Sequence, residues 1–285
     1  MQQNLFKRYL SAVYLILVPF LAAIFGFGVG HISYKIYLPV WIINVCLMVL
    51  AAWVLSAQKN EAAEKKDVVV GALLLIAPWV FISIFFGMGP PPSTAREYAA
   101  AATEQQVRYA ILVMSGVFIA LGCALLWQRL KEAGENLYSL IGFTAIMIAI
   151  PLFILNMIFW GSYLVEAFKS FSNAPSAKRP DWYLPVRSLF SSISLVEVAL
   201  IYLATAAFAV SLKVAKWFKP AACLIYIAIS LLGMVLDILP SVLPESFAAV
   251  GFFVSIPAIP FIMPYFFGVN LLLRINSNKA DPTNH

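Results

Sequence analysis

Histidine is nearly missing from this 285-residue sequence: there are two, His31 and the terminal His285. A bis-histidine haem inside a helical bundle, a histidine-based zinc site and a Ser-His hydrolase therefore lack ligands or a base. Charge is scarce as well. Only 11% of residues are Asp, Glu, Lys or Arg, against roughly a quarter in a soluble domain, so the chain cannot cover a water-facing surface. The three cysteines, Cys46, Cys123 and Cys223, lie singly in apolar stretches at spacings that fit no zinc or redox motif, and they read as small packing residues. No apolar stretch carries a lysine near its middle that could hold a Schiff-base chromophore. No catalytic set, no metal and no cofactor is expected.

What the sequence does hold is apolar length. Hydrophobic residues make up 62% of the chain, and mean hydropathy is +0.90. Reading for runs of about 20 apolar residues gives eight, at 10–29, 37–55, 68–88, 108–127, 137–163, 189–212, 220–239 and 247–273. The fold class expected is all-α: a polytopic transmembrane helical bundle of about eight spans, forming one domain over 1–285. The runs are too long and too uniformly apolar for the in-out alternation of a membrane barrel. The fifth and eighth runs are long and carry prolines that can kink them, Pro151 in one and Pro257, Pro260 and Pro264 in the other. Lys7 and Arg8 precede the first run as in a secretory signal, but no suitable A-x-A-like site follows, so it is expected to remain as a span.

Basic residues set orientation. With the N-terminus cytoplasmic, twelve of the 19 Lys and Arg fall inside and seven outside, which predicts both termini in the cytoplasm and favours a plasma or inner membrane. The same bias accounts for the net charge of +6, and nucleic acid is not an expected partner because no basic run is interleaved with aromatics in a soluble segment. The lipid bilayer is the expected partner, with other proteins or a second copy as further ones. Gly26 and Gly30 have the GxxxG spacing of a helix-dimer face, although packing within the bundle explains it equally well.

Two long connections are expected outside. The first opens Gly89-Pro90-Pro91-Pro92 and continues to Thr94, which with Glu97 has the pattern of a capping box ahead of an alanine-rich helix. The second, near 170–185, carries Trp182 and Tyr183, a pair suited to the membrane interface. Tyr37-Leu38-Pro39-Val40 recurs as Tyr183-Leu184-Pro185-Val186, the one hint of a four-plus-four parallel repeat dividing at 1–136 and 137–285.

Acidic residues inside spans carry the sharpest signal, since a charge at the bilayer centre costs at least roughly 2.5–3.5 kcal/mol. There are two. Glu197 lies about 12 Å into the sixth run at 1.5 Å per residue, and Asp237 lies near the end of the seventh. Asn156, in the fifth run, and Ser194, one helical turn before Glu197, complete a candidate polar intramembrane site. Its expected use is as a proton, cation or small-molecule site in a transporter-like or channel-like protein. The alternatives are a non-catalytic subunit of a larger membrane assembly and, third, an intramembrane lipid-modifying enzyme, which would have to work without histidine.

Overall fold

Backbone amides in hydrocarbon have no water to bond, so an apolar segment satisfies them internally as helix. The computed structural model describes residues 2–57, 63–173, 181–239 and 245–277, and these are helical with no strand. Helices α1 (Gln2–Gly28), α2 (Tyr34–Ser56) and α3 (Ala63–Ile82) lead to a single turn, α4 (Phe85–Met88). Helix α5 (Ala95–Ala100) caps the long α6 (Ala102–Glu132). Helix α7 (Leu137–Ile158) passes through a π turn (Phe159–Tyr163) into α8 (Leu164–Asn173), and α9 (Tyr183–Val214), α10 (Pro220–Ile238), α11 (Glu245–Val254) and α12 (Ile262–Ser277) complete the chain. Seven segments are long and apolar enough to cross a membrane, which makes this a polytopic helical bundle.

The eighth expected span departs from the expectation. It is two helices, α11 and α12, separated by residues 255–261. Pro257 and Pro260 are the physical reason, because each removes an amide donor and clashes with the preceding turn. Pro151, by contrast, stays inside α7. The irregularity of that run comes later, at the π turn.

Six helices close a ring. Helix α9 packs on α7 and α10, α6 on α7 and α3, and α12 on α3; Asn270 of α12 then donates to the Tyr226 hydroxyl of α10. Small residues let α7 and α9 approach, with Gly142 set against the Phe208 ring and the Ala204 carbonyl. The broken segment enters this ring: Phe261, fully buried, meets Phe153 of α7 with ring centroids 4.9 Å apart. Helices α1 and α2 lie against one side, where Asn44 accepts from Tyr14 (2.6 Å) and donates to Ser83 (2.9 Å). Asn44 is thus an interhelical tie, distant in role from the polar site.

At the end of the bundle holding the 89–94 connection, Thr94 accepts the Glu97 amide at 3.2 Å and starts α5. The helix that follows bends at Ala101, where α5 stops and α6 begins. Gly26 packs within the chain, its Cα facing the Phe85 carbonyl, whereas Gly30 lies beyond α1 at φ +77. The GxxxG pair therefore does not form one helix face. Both copies of the Tyr-Leu-Pro-Val sequence fall in the first two turns of a long helix, α2 and α9. Of the cysteines, Cys123 and Cys223 are buried as expected, while Cys46 is exposed on α2.

The opposite end is fastened by Glu135, whose carboxylate accepts the amides of Tyr138 (2.8 Å) and Ser139 (3.1 Å) and the hydroxyl of Ser211 on α9. Burial pushes its pKa up, but the Ser211 hydroxyl and the two amides outweigh burial and hold the carboxyl below its ordinary value. A depressed folded pKa stabilises above the ordinary glutamate range and is lost as pH falls through the folded value. Acidification below the glutamate range should therefore lower the unfolding temperature in detergent. Glu135→Gln should remove that pH dependence, and an unchanged profile would show that the contact carries no linkage.

Candidate functional site

Glu197 is fully buried, at 0% exposure, on the inward face of α9. Its orientation follows from position: Val198 and Ile201 on the same face are buried with it, whereas Val196 faces outward. Asn156 of α7, also buried, donates to Glu197 Oε1 at 2.9 Å. Asp237 of α10 is buried and lies within electrostatic range of Glu197. Ser255, the first residue of the break, donates to Asp237 Oδ1 at 2.6 Å, and its hydroxyl is also 2.9 Å from the Gly251 carbonyl. Tyr202, one turn below Glu197 on α9, donates to the Val254 carbonyl at 3.0 Å. Pro257 occupies the chain position that could otherwise have continued the helix past this point, and side chains of α9 and α10 add to the amide bonds of Ser255 and Ile256 that hold the end of α11.

Three buried oxygens in this neighbourhood have no hydrogen-bond partner among the described residues: Asn156 Oδ1, Glu197 Oε2 and Asp237 Oδ2. An acceptor buried without a donor costs about 1–3 kcal/mol. Three together favour whatever supplies donors or positive charge, most simply a proton on either carboxyl.

Above this cluster lies a cavity of about 730 Å³, well within the range of roughly 300–1,000 Å³ of small-molecule sites. Asn156, Ser194 and Ser255 line it, so the polar cluster forms part of its wall. Ser194 thus faces the cavity, while Asn156 is the group that bonds Glu197. The rest of the lining is mainly aromatic and aliphatic, including Trp79, Phe85, Tyr98, Tyr109 and Trp160. Pro90 and Pro91 and the exposed Arg187 stand at its rim, and so does Phe252, 72% exposed. The π turn contributes directly, because Trp160 lines the cavity and its carbonyl accepts the Tyr98 hydroxyl at 2.8 Å. Extra-residue turns of this kind occur often at functional sites.

Of the four residues of the expected polar site, Glu197 and Asn156 are bonded, Asp237 lies within electrostatic range of Glu197, and Ser194 lines the cavity together with Asn156. Sequence reading missed Ser255, Tyr202 and Tyr183. Tyr183, expected as an interface anchor, is buried against Phe168 and Phe171 and lines the cavity; Trp182 alone is exposed, beside Tyr163. The connection at 174–180 lies outside the described residues. The signal for Ser255 was present in Ser255-Ile256-Pro257, where a polar residue precedes a helix-breaking proline. Comparison with protein-family models, with curated proteins and with solved structures finds no match.

Proposed function

We propose that the chain is a proton-coupled carrier of a small molecule, which loads the cavity from the end bearing the 89–94 connection and uses the Glu197–Asp237 pair as its proton site. The excess of Lys and Arg at the other end supports cytoplasmic termini, and in that orientation the cavity opens to the outside. The observation that carries the reading is the tie between Asp237 and the start of the break. A protonated Asp237 can itself donate to Ser255 Oγ, which releases the single Ser255 hydroxyl hydrogen for the Gly251 carbonyl. Protonation on α10 thereby changes the bonds that hold the end of α11. Broken helices beside a midplane site are the usual moving parts of membrane carriers, and a proton bound preferentially in one state shifts the population toward it.

The test is alternating access. Ser194→Cys sits on the cavity wall, and Thr205→Cys lies buried on the same helix beyond Glu197. A membrane-impermeant thiol reagent should label position 194 from outside and position 205 from the cytoplasmic side, in reciprocal proportion as pH changes. Glu197→Gln, fixed in a neutral form, should hold one pattern at every pH. Position 205 unreactive at all pH values and in both backgrounds would overturn the carrier reading.

A further inference from the structure

Among the described residues, the cavity lining contains two arginines and no carboxylate. Arg108 is set six residues into α6, and its side chain is only 6% exposed. Its Nη2 reaches the Met88 carbonyl at 3.3 Å and Glu104 at 3.7 Å, and its guanidinium stands 5.3 Å from the centre of the Phe85 ring. The Nε–H is buried and bonds nothing among the described residues. Trp79, 2% exposed, presents a second buried donor with no partner, its indole N–H, in the same lining. Arg187 adds a further positive charge at the rim, with no ion pair among the described residues.

Unpartnered donors on a buried cation are costly in an apolar surround and are satisfied by an acceptor bearing negative charge. Cation and donors belong to the same cavity lining. The remainder is formed by Ala22, Phe27, Leu112, Ile256 and similar groups, which suit hydrocarbon and offer no hydrogen bonds. The apolar wall reaches the outer surface of the bundle at Phe27, on α1, and Phe252, on α11, both more than half exposed. Phe27 also meets the ring of Phe253, with centroids 5.9 Å apart, so aromatic side chains stand where the lining reaches the bundle surface. A ligand whose tail arrives from the membrane fits such a mouth.

We infer that the cavity binds an anionic amphiphile, a single phosphate or carboxylate on an alkyl chain, with the anion on Arg108, Trp79 and Arg187 and the chain along the apolar wall toward Phe27 and Phe252. This names the cargo class of the proposed carrier and rests on that reading only for transport; binding stands independently. The same anionic group could also come on a water-soluble molecule, and competition separates the two sources.

The experiment is a binding measurement on the full chain in lipid nanodiscs, with radiolabelled dodecyl phosphate as probe and captured counts as readout. Binding should be saturable. Laurate should displace the probe, whereas dodecyltrimethylammonium, which has the same chain and the opposite charge, should not, and phenyl phosphate should compete at least tenfold more weakly than laurate. Arg108→Gln should weaken binding at least tenfold. Because Arg108 is buried, Arg187→Gln provides a variant at an exposed position, with several-fold weakening expected. Absence of saturable binding, equal competition by the cation, or no loss in both arginine variants overturns the inference. Phenyl phosphate competing as well as laurate overturns the amphiphile in favour of a soluble anion. Normal binding with fixed thiol accessibility at positions 194 and 205 would sink the carrier reading and leave this one intact.

Discussion

Glu197→Gln should reduce coupled flux to the level of protein-free liposomes while the protein remains folded and binds its ligand. The substitution keeps shape and a hydrogen-bonding amide, so the bond with Asn156 survives through the amide oxygen, and what is lost is the exchangeable proton. Flux is read by an internal pH dye after an acid pulse, with dodecyl phosphate outside. Wild-type vesicles should take up protons in a ligand-dependent way, and Glu197→Gln vesicles should not. A Gln variant with wild-type uptake would remove Glu197 from the mechanism. It would also leave the buried carboxyl, otherwise so expensive at this depth, as a packing feature.

The second large effect concerns Asn156→Leu. Leucine has the same number and branching of side-chain heavy atoms as asparagine and is somewhat bulkier, so no cavity forms, but Glu197 loses the one side chain among the described residues that bonds it. Leaving a buried acceptor unsatisfied costs about 1–3 kcal/mol, and thermal unfolding in detergent should show a loss of that order. Replacing both partners by apolar residues of similar shape can be nearly neutral. The double variant Asn156→Leu with Glu197→Leu should therefore regain most of the stability and none of the flux. Recovery of flux along with stability would mean that the polar pair serves the fold alone. Failure of the double variant to regain stability would mean that Asn156 matters through contacts other than Glu197.

Hydropathy made the bundle legible because the constraint is blunt: a backbone in lipid must be helical, and seven of the eight apolar runs are single long helical segments. The eighth run shows where that reading stops. Its prolines marked a kink, but a kink and a complete break differ by whether neighbouring side chains can take over the freed backbone groups. Here Tyr202 bonds the last carbonyl of α11 and Asp237 takes the Ser255 hydroxyl, and these contacts come from residues 52 and 18 positions away. Nothing local in the sequence announces them.

The site was legible to a similar depth. Glu197 and Asp237 stood out by cost, and Asn156 and Ser194 by proximity along the chain or by depth. Their convergence depends on α7, α9 and α10 being neighbours in the ring, which no pattern within a single run reveals. Tyr183 was misread for a related reason: an aromatic pair at a span end usually marks the headgroup region, but the turn formed by α8 folds Phe168 and Phe171 over it. Arg108 opens the fourth apolar run, and nothing within that run shows that it is held beneath Met88 and Phe85.

Infrared difference spectroscopy of the protein in liposomes bears on the proton site without assuming a cargo. A carboxylic-acid carbonyl band should grow as the outside solution is acidified, fall as it is made alkaline, and be absent from Glu197→Gln. A spectrum in which no carboxyl band depends on both the outside pH and Glu197 would contradict the central claim, because the buried glutamate would then exchange no proton with the cavity above it.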